Sequence, residues 1–80
     1  MHCVYVIKSL SFSDRIYVGY TTNLKRRFET HNAGGSIYTA NYKPWKLLLY
    51  LNFEDEVKAK NFERYLKTSA GKAFAKKRLW

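Results

Sequence analysis

From Cys3 to Lys8 the apolar side chains follow the two-residue period of a strand, with Val4 and Val6 on one face and Cys3, Tyr5 and Ile7 on the other. Ser9-Leu10-Ser11-Phe12-Ser13-Asp14 reads as a turn-rich connection, and Arg15 to Gly19 as the returning strand. A hairpin centred on Ser11 sets Tyr5 directly opposite Tyr17 on one face. The pattern then becomes helical. Thr21 or Thr22 caps the first turn, Leu24 and Phe28 form the buried stripe, and Arg27 and His31 share the face beside it. Asn32 to Ser36, with two glycines, breaks the pattern, and residues 37–45 read as an irregular loop in which Pro44 holds Lys43 extended. Trp45 to Phe53 is a third strand. Its run Leu47 to Leu51 is apolar on both faces, which predicts a central strand or one covered on both sides.

A second helix opens with Glu54, Asp55 and Glu56 at the positive end of its dipole. Its stripe is Ala59, Phe62 and Leu66, with Lys58, Lys60, Arg64 and Lys67 outward. Thr68 to Gly71 interrupts it, and a last helix from Lys72 to Trp80 sets Ala73, Phe74 and Leu79 among basic residues. The layout, ββα, loop, βαα, predicts a single α+β domain over residues 1–80: a small three-stranded, mostly antiparallel sheet flanked by helices.

Charge narrows the function. Fifteen Lys and Arg against six Asp and Glu give +9, and so small a chain with that imbalance attracts polyanions, nucleic acid first. No apolar run approaches the ~20 residues that span a bilayer, so no membrane role is expected. Cys3 is the single cysteine, which excludes an intrachain disulfide and a multi-cysteine zinc site. The N-terminus lacks the pattern of a signal peptide, and a reducing cytoplasm is the expected location.

Candidate chemistry follows from placement. Arg27 and His31 put a permanent cation and a titratable imidazole beside the strand end that carries Tyr17. Tyr5 and Tyr17 are phenols with an ordinary pKa of ~10, and a neighbouring cation such as Arg27 favours their ionisation. Glu63 lies about 40° around the helix from Ala59 at the border of the apolar stripe. There a carboxylate either reaches a cleft as a Mg²⁺ ligand or pairs with Lys67 one turn later. Lys25 and Arg26, and the acid-free set Lys72, Lys76, Lys77 and Arg78, suit the nucleic-acid backbone.

Val4-Tyr5-Val6 followed by Tyr17-Val18-Gly19 resembles the paired motif of the GIY-YIG nuclease superfamily. Asn23-Leu24-x-x-Arg27 resembles its arginine segment, and Glu63 falls where its metal-binding glutamate is expected. The Thr-x-Asn-Leu-x-x-Arg-x-x-x-His-Asn run is similar to the small stand-alone bacterial members. The resemblance implies an endonuclease that hydrolyses phosphodiesters with one divalent cation, Mg²⁺ or Mn²⁺, held by Glu63. Arg27 would stabilise the phosphate, Tyr5 or Tyr17 would take the proton from water, and His31 would relay it. Gly19 would allow close backbone approach. The chain departs from the pattern in three places. Val-Tyr-Val replaces Gly-Ile-Tyr, Tyr20 stands where some members have lysine, and Ala73-Phe74-Ala75 stands where some carry an asparagine.

The expected partner is nucleic acid, DNA ahead of RNA, in work of the DNA-repair kind. Specificity would come from the 32–45 loop, the basic tail or a protein partner, and the chain would act as a monomer or weak dimer. The alternative is a non-catalytic basic module that keeps the nuclease fold. A third reading, docking on a larger assembly, would use Trp80 and Tyr42.

Overall fold

A computed structural model describes residues 1–80. Strands β1 (His2–Ser9), β2 (Ile16–Thr21) and β3 (Trp45–Phe53) form one antiparallel sheet in the order β2-β1-β3. The helices are α1 (Leu24–Asn32), α2 (Ile37–Ala40), α3 (Glu56–Leu66) and α4 (Ser69–Arg78). No helix is long and apolar enough to cross a membrane.

The sheet is covered on both faces, and β1 explains why. Its residues Cys3 to Ile7 are apolar without interruption and all are buried. Cys3, Tyr5 and Ile7 pack with Trp45, Leu24 and Phe28 beneath α1. Val4 and Val6 pack with Val18, Ala59, Leu66 and Ala75 beneath α3 and α4. The centre of the sheet is therefore β1. Of the two expectations for β3, the central position is corrected: it is an edge strand, with Tyr50 and Leu51 exposed. Cover on both faces holds for its first half, where Trp45 and Leu47 pack in one core and Leu48 and Leu49 against the other. Val6 pairs with Leu49 but Ile7 pairs with Leu47, so a bulge sets Leu48 and Leu49 together against the same core.

Four local expectations also change. Tyr5 pairs with Gly19 and Ile7 with Tyr17, so the hairpin centre moves by one residue and the two tyrosines are diagonal rather than opposite. Pair sums shift by two, which preserves the shared face. The connecting turn is tied by Ser9, whose Oγ accepts from the Ser11 and Phe12 N–H groups and donates to the Tyr42 carbonyl. Strand β2 continues past Gly19 to Thr21, and the cap of α1 is Asn23, whose side chain accepts from the Arg26 N–H at 3.1 Å. Thr21 acts one step earlier, receiving the Asn23 N–H. Within the expected loop, residues 37–40 form the single turn α2.

Helix α4 begins at Ser69, not Lys72, because Thr68 is its N-cap and receives the Gly71 N–H at 3.0 Å. Gly71 is a packing residue. A Cβ there would lie 1.7 Å from the Tyr65 carbonyl oxygen, so only glycine lets α4 lie against the end of α3. The inward face is thus Gly71, Ala75 and Leu79, while Ala73 and Phe74 are exposed.

Candidate active site

Tyr5 stands at the centre of the sheet and is fully buried, yet its hydroxyl is held by groups from elsewhere in the chain. Arg27 Nε–H donates to it at 3.3 Å and His31 Nε2 lies 2.7 Å away. Arg27 can only donate, so the phenol oxygen accepts from it. On its other side the His31 ring bonds through Nδ1 with Thr39 Oγ1 at 2.7 Å. Its burial, and second the Arg27 charge, hold its pKa below the ordinary value of 6.5. Thr39 is fixed in turn, since its carbonyl receives the Trp45 indole N–H at 3.0 Å.

Gly19 makes this arrangement fit. A Cβ at that position would stand 2.4 Å from the Tyr5 phenol carbon and oxygen, because the ring crosses over its strand partner toward the β2 edge. The close approach expected at Gly19 is therefore made by Tyr5 itself. Arg27 lowers the pKa of Tyr5, but burial acts more strongly and leaves it above the ordinary value of 10.0. The expected help of Arg27 in ionising this phenol is thus outweighed by desolvation, and Tyr5 rests as a neutral hydroxyl. Its hydrogen bond with Arg27 raises the proton affinity of the guanidinium.

Tyr17 is half-buried beside these groups. Its ring centroid is 5.1 Å from that of His31 and 6.3 Å from that of Tyr5. A polar hollow of about 250 Å³ opens next to Arg27, lined by Thr21, Thr22, Asn23, Arg26 and Thr30. It offers hydroxyls and two guanidinium groups and no carboxylate, which suits an anion.

Glu63 stands on the other side of the sheet. Helix α3 covers the Val4/Val6 face whereas α1 covers the Tyr5 face, so Glu63 and Arg27 stand on helices on opposite faces of the sheet. The expectation that both tyrosine hydroxyls, the Arg27 guanidinium and the Glu63 carboxylate gather in one cleft is corrected for Glu63, whose helix lies across the sheet from Arg27 and whose carboxylate is paired with Lys67. Its carboxylate pairs with Lys67, whose ammonium lies 5.8 Å from the Tyr17 ring centroid at the β2 edge, and its charge is felt at Tyr5. The side chain of Glu63 is 18% exposed, and Lys67 is its one ionic partner. No cluster of metal-binding side chains surrounds it. A single carboxylate with limited access to solvent would suit a hydrated Mg²⁺ or Mn²⁺, which keeps most of its waters and shares the rest of its shell with phosphate. It does not fit a transition metal that needs a protein cage.

The basic candidates divide. Arg26 lines the hollow beside Arg27, and Lys25 is exposed on α1. Lys72 and Lys76 line a larger groove on the β2 side, while Lys77 and Arg78 lie outside it. Sequence reasoning missed Thr39, Thr22 and Thr30, whose hydroxyls carry no periodic signal, and it missed Asn32, which holds both backbone groups of Trp45.

A family model described as GIY-YIG catalytic domain matches residues 1–78. A UPF0213 protein of Staphylococcus haemolyticus is 40% identical over 68 residues, covering 84% of this chain and 80% of its own length. A UPF0213 protein of Lactococcus lactis subsp. cremoris is 39% identical over 67 residues, 82% of this chain, which spans 66% of that relative. A structure-specific endonuclease subunit SLX1 homolog of Giardia intestinalis is 39% identical over 62 residues, 72% of this chain but 17% of that protein. Among solved structures, the solution structure of a UPF0213 protein from Bacillus halodurans aligns with a TM-score of 0.58 and 27% identity over 98% of this chain and 85% of that one.

Proposed function

The chain belongs to the GIY-YIG catalytic-domain family, and on that premise we propose that it is a divalent-cation-dependent endonuclease acting on nucleic acid, DNA ahead of RNA. The observation that carries this reading is the Tyr5 hydroxyl fixed between Arg27 and His31 with Tyr17 alongside. A purely structural tyrosine has no need of a guanidinium and an imidazole on one oxygen.

In the proposed reaction water attacks a phosphodiester phosphorus and the P–O bond to the leaving strand breaks. Arg27, aimed by its bond to Tyr5, holds the phosphate oxygens and stabilises their growing charge. Tyr17 is the tyrosine that meets the attacking water, because the Tyr5 hydroxyl is sealed from solvent. The Tyr17 oxygen takes the water proton as its own hydroxyl proton leaves to solvent, the leaving oxygen is protonated from solvent, and the Tyr5–His31–Thr39 bonds keep Arg27 in place. A divalent cation bound by Glu63 would supply Lewis-acid stabilisation of the phosphate and leaving oxygen.

The non-catalytic reading keeps one observation in its favour, the Glu63–Lys67 pair, which neutralises the carboxylate. Such a pair one helical turn apart is worth ~0.3–0.5 kcal/mol on an exposed helix face, and a divalent cation would compete with Lys67 for the carboxylate. Incubation with labelled DNA and RNA of single-stranded, duplex and branched form, with Mg²⁺ or Mn²⁺ and with EDTA, decides between them. The nuclease reading expects cation-dependent cleavage of at least one form. Binding without cleavage under every condition would leave the module reading.

A further inference from the structure

The larger groove joins Tyr17 to α4 and has a volume of about 600 Å³. Its apolar surface comes from Ile16, Tyr17 and Trp80, each partly exposed, above the buried Val18 and Leu66. Lys67, Lys72 and Lys76 stand around it against Asp14 as the one acidic residue. Trp80 is held in place through its backbone N–H, which reaches the Ala75 carbonyl at 2.9 Å, and it packs against the Val4/Val6 core.

We propose that this groove takes an unpaired stretch of nucleic acid adjoining the phosphate to be cut, so that the substrate is a strand unpaired on the α4 side of the site. The placement next to a cleavage site rests on the nuclease reading. The choice of occupant rests on the groove. A partly apolar lining that includes an indole and three lysines matches a nucleotide, whose base has an open π-face and whose phosphates are anionic. In a duplex the base faces are stacked on one another, and only phosphates would meet the protein. Phosphates alone would satisfy the lysines and leave the Ile16, Tyr17 and Trp80 surface unused. Lys72 and Lys76 lie one turn apart on α4, about 6 Å along its axis, and can follow neighbouring phosphates of an extended strand. Lys67 and Tyr17 belong both to the groove and to the edge where Glu63 emerges, so the strand leads directly to the candidate site.

Tryptophan emission tests this without any need for cleavage. Trp45 is 4% exposed, which leaves Trp80 as the indole that a ligand can touch. The full chain in EDTA is titrated with an oligothymidylate, with a duplex of the same length and with heparin, an anion without bases. The expected result is quenching by the single strand and little by the other two. Trp80→Leu, which keeps apolar packing and removes the indole, should weaken single-strand binding about tenfold, leave duplex binding nearly unchanged and abolish the quenching. Trp80→Phe should restore most of the affinity. Absent quenching in the wild-type chain, equal quenching by heparin, or a Trp80→Leu variant that binds the single strand as well as the wild type would each overturn the proposal. The wild-type titration stands even where a variant fails to fold. Cation-dependent cleavage without quenching would remove the groove and keep the nuclease. Quenching by the single strand without cleavage of any form would remove the nuclease and leave the groove as a binding site.

Discussion

Tyr5 shows how much one residue of this chain has to satisfy: its ring fills the core while its hydroxyl serves Arg27 and His31. Gly19 is the condition for both. Gly19→Ala places a methyl group 2.4 Å from the phenol, and the ring cannot leave without opening the core. The variant should lose ~1–3 kcal/mol in urea unfolding and should lose cleavage as well, since Arg27 is no longer aimed. His31 makes a separate prediction in pH. Its folded pKa is depressed, so above the ordinary value of 6.5 both folded and unfolded chains carry it neutral. Below that value the unfolded chain takes up the proton first, and stability falls as pH drops from 7 towards 5. His31→Gln should flatten unfolding free energy across that window. An equally steep fall in the variant would assign the pH dependence to other groups. At this scale the sequence was partly legible. The strand period put Tyr5 and Tyr17 on one face, and helical spacing put Arg27 beside His31. That burial would outweigh Arg27 at Tyr5 was not legible, because it depends on the two cores closing over β1.

Elements were legible where one face of each is apolar, and less so where a single glycine or bulge decides. Thr68 and Gly71 read as an interruption because glycine is a poor helix former, and both instead lie at the start of α4. Gly71→Ala sets two effects against each other. Alanine favours a helix by ~1 kcal/mol over glycine, yet its Cβ would stand 1.7 Å from the backbone carbonyl of Tyr65. Backbone cannot yield as a side chain end does, so the clash wins. The variant should melt well below the wild type, and a raised melting temperature would mean that α4 does not lie against α3 as described. The bulge at Leu48 has the same lesson for β3. Leu47 packs on one face and Leu48 and Leu49 on the other, so the run reports two-sided cover, and only the pairing with β1 shows that β3 is the edge.

The whole molecule carries a +9 charge and opposes two helices across one thin sheet, and both features bear on function. Substituting Lys72, Lys76, Lys77 and Arg78 by glutamine should weaken nucleic-acid binding irrespective of sequence. It should also reduce the salt dependence, by ~0.9 in log–log slope for each duplex phosphate no longer neutralised. An unchanged slope would place the nucleic acid away from α4. The family and its fold were legible because the paired triplets, the arginine and the glutamate keep their order along the chain. The side of the sheet from which Glu63 arrives was not, since order and spacing along a chain do not state on which face a helix lands. The central claim is that this carboxylate, coming around the β2 edge, completes the site begun by Tyr5, Tyr17, Arg27 and His31. The direct measurement is the cleavage rate of wild type and Glu63→Gln on one substrate over a Mg²⁺ titration, with circular dichroism to verify the fold. The wild type should cleave in a cation-dependent way and a folded Glu63→Gln chain should not, because glutamine keeps the shape and removes the charge. A Glu63→Gln protein that cuts at the wild-type rate with the same Mg²⁺ dependence would contradict the claim.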